Sequence, residues 1–226
     1  MALPSVIAID GEAAAGKSTI GSLLARRLGY LYFDTGVMYR SVTWAAIQRG
    51  LDVGDEPAIT ALAERLVIQV MAASCGDGRQ YTVLADGHDV TWAIRQPAVD
   101  ASVSVVAAYG GVRRALTAQQ RQIARSQKVV MVGRDIGTVV MPDAPLKIYM
   151  RASVEERARR RHLESLARGE SIGYPEVLAS MRRRDQIDSQ RECAPLRAAP
   201  DAILVDTDGL TVDQVLCRVW SLVQSE

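Results

Sequence analysis

The chain of 226 residues carries 27 Lys plus Arg against 26 Asp plus Glu, a net charge of +1, so it is no polycation with a general affinity for nucleic acid. With 48% hydrophobic and 23% charged residues it can bury one sizeable core with appended subdomains, which excludes disorder as its main state. Aromatic residues reach only 5%, with a single Phe, which argues against a base-stacking RNA-recognition sheet or an oligonucleotide-binding barrel.

In chain order, Ser5 to Ile9 is a short apolar run rich in β-branched residues and reads as a strand. Its apolar stretch is far too short for a signal peptide or membrane span. A glycine-bounded loop follows, then a helix from Lys17 to Leu28 ended by Gly29. Leu31 to Phe33 predicts a second strand, leading through Asp34-Thr35-Gly36 into a helix that ends near Arg49 with Gly50 as its cap. Asp55-Glu56-Pro57 starts another helix, and Leu66 to Met71 and Gln80 to Ala85 read as antiparallel strands joined by a turn at Gly76-Asp77-Gly78. Pro97 to Ala108 and Val112 to Ser126 read as helices separated by a break at Gly110-Gly111. Lys128 to Val132 and Leu146 to Met150 are continuous apolar runs, the pattern of strands buried on both faces of a parallel sheet. Ser153-Val-Glu-Glu156 is a capping box for a long helix to about Arg168, closed by Gly169. A second charged helix runs from roughly Pro175 to Arg191, Asp201 to Asp206 reads as one more buried strand, and Thr211 with Gln214 caps a terminal helix. Alternating strands and helices imply an α/β fold with a parallel sheet and right-handed crossovers.

Charge and cysteine usage sharpen this. Lys17, Lys128 and Lys147 are the only lysines, and eleven arginines fall between Arg151 and Arg197 beside eight acids, a charged network rather than a basic tail. Cys75, Cys193 and Cys217 are an odd set without a CxxC pair, which speaks against a disulfide framework or a structural zinc and for a reducing, cytoplasmic setting.

Gly11-Glu12-Ala13-Ala14-Ala15-Gly16-Lys17-Ser18 satisfies G-x-x-x-x-G-K-[ST] directly after a strand and at the start of a helix. Backbone N–H groups of such a loop curl around phosphate oxygens, the helix N-terminus adds partial positive charge, Lys17 reaches the terminal phosphates and the Ser18 hydroxyl can ligate magnesium. The G-x-G-x-x-G of a dinucleotide fold is absent, and with three lysines no Asn/Thr-Lys-x-Asp base-reading motif exists, which removes a GTPase switch. Asp34 to Arg40 and Val132 to Thr138 also follow predicted strands, at the sheet edge where open α/β folds bind ligands. His88 and His162 are isolated and read as surface residues, so no Ser-His-Asp or metal-ligand cluster competes. At least half of the arginines at 157–161 and 182–184 read as a solvated helix face.

Over about residues 4 to 224 the chain resembles the bacterial cytidylate (CMP) kinases. The residues that carry the likeness are the phosphate loop, Asp34-Thr35-Gly36 with Tyr39-Arg40, Asp89-Val90-Thr91 with Ile94-Arg95, Ser104 ahead of Val112-Arg113, the run Gly133 to Val140 with Pro142, Glu155-Glu156-Arg157, and Arg184-Asp185 leading to Asp188, Arg191 and Ala194-Pro195-Leu196. The resemblance implies a P-loop NTPase fold: a five-stranded parallel sheet flanked by helices, formed by 1–51, 110–152 and 195–226, with a nucleoside-monophosphate-binding α+β insert at 52–109 and a short helical lid at 153–194. It implies ATP, held with Mg2+ by Gly11 through Thr19 and approached by Arg157 and Arg161, with Ser18 on the metal. It assigns the cytosine to Thr35, Arg113, Asp135 and Arg191, the sugar to Ser104, Arg184 and Asp188, and the acceptor phosphate to Arg40 and Arg134. Lys17, Arg134 and Arg184 become the catalytic set, and the expected state is a monomer with ATP and CMP or dCMP as its ligands.

Several positions depart from that pattern. Glu12-Ala13-Ala14 replaces the more usual Pro, Ser or Ala and Gly, and Glu12 beside phosphates makes sense if it points to solvent. Val132 stands where an acid is common, Gly110-Gly111 where a Pro is common, and Ile187 and Ser189 where arginines are. Two other readings stay open: another P-loop kinase acting on UMP, AMP or a non-nucleotide acceptor, and an ATP-responsive nucleic-acid-binding module using the arginine clusters.

Overall fold

A computed structural model describes residues 3–169 and 171–225. Met1, Ala2 and Glu226, at the ends of the expected core ranges, and Glu170, one of the lid acids, lie outside the described residues.

The apolar runs become five parallel strands: β1 (Val6–Gly11), β2 (Leu31–Asp34), β6 (Val129–Val132), β7 (Leu146–Arg151) and β8 (Ile203–Asp206), in the order β2-β6-β1-β7-β8. β1 lies between β6 and β7, pairing Ile7 with Val130 and with Leu146, and every residue of it is buried. A strand covered on both faces has no use for polar alternation, hence the unbroken apolar run. β8 differs from expectation. It is one edge of the sheet, where only Val205 is buried and Leu204 is 54% exposed, whereas the opposite edge, β2, buries Tyr32 and Phe33.

Helices α1 (Lys17–Leu28), α2 (Gly36–Gln48), α3 (Glu56–Arg65), α4 (Pro97–Val106), α5 (Gly110–Ser126), α6 (Val154–Ala167), α7 (Tyr174–Gln190) and α8 (Val212–Ser225) complete the chain order. Between α3 and α4, β3 (Ile68–Ala72), β4 (Tyr81–Ala85) and β5 (His88–Asp89) form a separate antiparallel sheet, of which the two-residue β5 is too short to leave a periodic signal. Ile59 of α3 and Val83 of β4 belong to the same apolar cluster as Ile7 and Phe33, so this segment shares the main core. The helix pair α6 and α7, in the expected lid, instead has a small cluster of its own, Ala158, Val177 and Met181, against which Ala13 and Ala14 of the phosphate loop pack.

Two local expectations are corrected. The break between α4 and α5 falls at Ala107 to Tyr109, and Gly110-Gly111 is the first turn of α5. Glycine is required inside that helix because a Cβ on Gly111 would stand 2.3 Å from Thr60 Cγ2 of α3. The α6 capping box is half formed: Ser153 Oγ accepts from Glu156 N at 3.3 Å, whereas the Glu156 carboxylate turns to Arg159 and Arg160 and Ser153 N donates to Asp208. The box at α8 closes both ways, between Thr211 and Gln214.

Candidate active site

The phosphate loop joins β1 to α1 at the carboxyl edge of the sheet. Gly11, with φ 141°, passes so close to β7 that a Cβ would fall 1.9 Å from the Met150 carbonyl oxygen, so only glycine lets the chain leave the strand here. Lys17 is buried at the start of α1 and its Nζ donates to the Glu12 carbonyl at 2.5 Å. Burial, and then the nearby Arg134 charge, push its ammonium down to about 7, against the opposing pull of Asp34, Glu12 and Asp10. Ser18 Oγ donates to Asp34 Oδ2 at 3.3 Å, and Asp34 Oδ1 accepts from Gly36 N at 2.9 Å. A hydroxyl and a carboxylate side by side at the helix N-terminus fit Mg2+, which takes one or two protein oxygens and completes its shell from phosphates and water. Among the described residues no larger group of acids, histidines and cysteines could hold a metal. Thr19 is exposed on the same turn.

Glu12 is half-buried, and its carboxylate turns inward rather than out to solvent. Tyr149 OH donates to its Oε1 at 3.4 Å, while its Oε2 is buried without a partner. The α6–α7 cluster packs on the neighbouring Ala13 and Ala14, and β7 presents Tyr149 to the Glu12 carboxylate, which accounts for the buried Oε2. Arg157 lies against the same loop, donating to the Ala13 carbonyl at 3.3 Å and gripping both oxygens of Asp185 at 3.1 and 2.7 Å. Arg161 goes elsewhere, to Asp100 Oδ2 on α4 at 3.4 Å. Arg159 and Arg182 are the solvated arginines expected of the lid surface, on Glu156 and Glu155. His88 is exposed, whereas His162 is half-buried edge-on to Tyr174.

Across from the loop, the turn after β6 carries Arg134 and Asp135 and winds into a π-helical turn, Ile136–Val140. Asp10, at the end of β1, braces this turn by accepting from Ile136 N and Gly137 N, both at 2.7 Å. Burial drives Asp10 up to about 6 although both N–H bonds pull it down. Sequence reasoning missed this residue; its one signal is an acid ending an apolar strand.

From Asp135 a chain of buried charges extends. Its carboxylate accepts from Arg113 of α5 and lies 3.9 Å from Arg191 NH2. Arg113 also donates to the Ala107 carbonyl at 2.9 Å and stands 5.2 Å over the Tyr39 ring. Arg191 NH1 lies 3.6 Å from Asp188, which accepts from Arg134 Nε at 2.5 Å. Burial raises Asp188, but Arg134, Arg184 and Arg191 together outweigh it and hold the carboxyl below its ordinary value. Arg184 is lowered to about 9 by burial and then by Arg134, and its Nε is buried without a partner. Arg40 of α2 donates to the Ile94 carbonyl at 3.1 Å and to Asp100 at 2.6 Å. Thr35 Oγ1 donates to the Val132 carbonyl at 3.0 Å, which leaves its lone pairs free to accept an amino N–H. Ser104 is half-buried on α4.

Six arginines (40, 113, 134, 161, 184 and 191) thus meet three aspartates (100, 135 and 188). The positive surplus suits a dianionic phosphate, and the buried carboxylate of Asp135 suits a ligand with an amino donor.

Comparison with known proteins agrees. The cytidylate kinase family model matches residues 7–225. The chain is 53% identical to a cytidylate kinase of Chloroflexus aggregans over 100% of its own length and 97% of that protein. It is 50% identical to one of Herpetosiphon aurantiacus with the same coverage, and 46% identical to one of Bacillus licheniformis over 97% and 96%. Among solved structures, a gluconokinase of Sinorhizobium meliloti shares the fold at 13% identity and a TM-score of 0.50, covering 100% of this chain and 94% of that one. An Eubacterium ventriosum protein does so at 12% identity and a TM-score of 0.52, covering 98% and 99%. A parallel sheet with a phosphate loop, an arginine and aspartate network facing it, and this likeness over the full chain lead to one conclusion: the chain belongs to the cytidylate kinase family.

Proposed function

We propose that the cleft between the phosphate loop and the Arg134-Asp135 turn is where this enzyme transfers the terminal phosphoryl group of ATP to CMP or dCMP, giving CDP or dCDP. The observation that carries this reading is the buried chain Arg134, Asp188, Arg191, Asp135 and Arg113, which faces the loop and ends in a carboxylate able to accept the cytosine amino group.

The backbone of Gly11 through Thr19 holds the ATP phosphates, Ser18 with Asp34 beside it would hold Mg2+, and Arg157 steadies the loop from outside. The metal neutralises phosphate charge. Arg40 and Arg134 hold the acceptor phosphate, Arg184 and Asp188 with Ser104 hold the sugar, and Thr35, Arg113, Asp135 and Arg191 read the base. An acceptor phosphate oxygen attacks the γ-phosphorus in line, a P–O bond forms, the bridging P–O bond breaks, and its electron pair leaves on ADP. No protein nucleophile is needed: Lys17, Arg134 and Arg184 hold the two nucleotides in register and stabilise the charge spread over the moving phosphoryl group. In this division 52–109 is the acceptor insert and 153–194 the lid. In this reading the protein acts as a cytoplasmic monomer. Among the described residues no helix is long and apolar enough to cross a membrane.

The nucleic-acid reading is disfavoured because the cluster arginines are already paired with acids: Arg157 is buried on Asp185, and the solvated Arg159 and Arg182 lie on Glu156 and Glu155. A coupled ADP-release assay across the common nucleoside monophosphates tests the proposal. Turnover with CMP and dCMP, and about a hundredfold less efficiency with UMP, is the expected result. Equal turnover of UMP or AMP would overturn it.

A further inference from the structure

We infer that Asp100, in the first turn of α4, is a positioning residue that holds Arg40 and the lid's Arg161 on one carboxylate and so ties the lid to acceptor binding. The inference rests on the assignment of Arg40 to the acceptor phosphate.

Asp100 Oδ1 accepts from Arg40 NH2 at 2.6 Å and Oδ2 accepts from Arg161 NH2 at 3.4 Å. Three elements therefore meet at one group: α2 brings Arg40, α6 of the lid brings Arg161, and α4 brings the carboxylate. Arg40 is gripped at both terminal nitrogens by the 94–100 segment, since its NH1 also donates to the Ile94 carbonyl at 3.1 Å. A guanidinium has five N–H donors, and these contacts use two, so a phosphate can bind while Asp100 stays in place. The carboxylate is accordingly a brace and not an anion that phosphate must displace. Arg161 NH1 lies 3.5 Å from Glu164 on its own helix, and among the described residues its bond outside α6 and α7 is the one to Asp100. The carboxylate also screens the repulsion among Arg40, Arg161 and Arg184, which converge at this place.

It follows that CMP alone, by adding its phosphate to an Arg40 already held on Asp100, steadies α6 through Asp100 and Arg161 before ATP arrives. Hydrogen exchange of the full-length enzyme with saturating CMP and no ATP reads this directly. In the unaltered protein, amides of Val154–Ala167 slow severalfold; in Asp100→Ala that slowing disappears while α2 is still protected by CMP. Steady-state kinetics give the second readout: Asp100→Ala raises KM for CMP about tenfold and leaves KM for ATP within about twofold, a split that general loosening would not give. Arg161→Ala, which leaves Arg40 and Asp100 paired, loses the slowing in α6 with a smaller rise in KM for CMP. Three results would overturn the inference: no slowing of α6 by CMP in the unaltered protein, equal slowing in Asp100→Ala, or a lower KM for CMP in that variant, which marks a competing anion. Failure of the unaltered enzyme to use CMP at all would instead strike the functional reading, and is visible before any variant is made.

Discussion

The phosphate loop and the arginine–aspartate network, donor and acceptor sites in the proposed reading, lie at the same sheet edge and are built by opposite means. The donor loop is nine consecutive residues that offer backbone N–H groups to phosphate, as the proposal has it, with one buried lysine for charge. The acceptor network is made of side chains from α2, α4, α5, α7 and the turn after β6, each arginine but Arg184 placed by an aspartate. Backbone-built sites tolerate side-chain change, so Glu12-Ala13-Ala14 can stand in the loop. Side-chain networks do not, because removing one member leaves another charge buried and uncompensated.

The largest effect that would sharpen the contrast is expected at the donor loop's buried lysine. Lys17→Ala is expected to keep the fold and lower kcat by at least about a hundredfold, since a charge aimed at the transferring group stabilises the transition state more than the ground state. A folded variant keeping more than about a tenth of the activity would make the loop wholly a backbone device.

On the acceptor side, Asp135→Ala should cost CMP far more than UMP and narrow a preference of about a hundredfold, roughly 3 kcal/mol, because uracil offers an acceptor where cytosine offers an amino donor. Competing assays with the two nucleotides measure it. Equal losses would mean that Asp135 only holds Arg113 and Arg191, the contacts it makes here.

The lid pair spans both regions, with Arg157 on the loop and Arg161 on Asp100. Hydrogen exchange across 154–190 should slow most when both nucleotides are bound, and unchanged exchange at saturation would rule out its role as a moving lid.

Lys17 also gives the donor loop a pH signature. Its ammonium titrates at about 7 in the folded protein against an ordinary 10.5, so the unfolded chain binds more protons between those values and stability rises with pH across that window. ATP phosphates favour the charged form, so binding at pH 8 should take up close to about one proton. Calorimetry in two buffers of different ionisation enthalpy measures this, and Lys17→Ala should abolish it. The smallest effect concerns Ala14, a non-glycine residue at φ 60°. Ala14→Gly should stabilise the chain by about 1 kcal/mol in thermal melts, with little change in kcat. A large loss of activity would show that the methyl group's packing under the lid matters more than backbone strain.

What the amino-acid sequence determined is what depends on neighbours along the chain. The phosphate loop, the buried runs that became β1, β6 and β7, and the cap of α8 are contiguous patterns, and each was legible as such. The arginines and aspartates of the acceptor side were legible as residue types in motifs, but who holds whom was not. Contacts such as Asp10 to the Ile136 amide, 126 residues apart, or Asp100 to Arg40 and Arg161 join distant segments and leave no local period. Tertiary structure alone also decided that β8 is an edge, that Gly111 lies inside a helix against Thr60, and that Glu12 turns inward to Tyr149. In each case the deciding quantity is the space and charge that other elements bring to the residue, which only the assembled sheet and lid define.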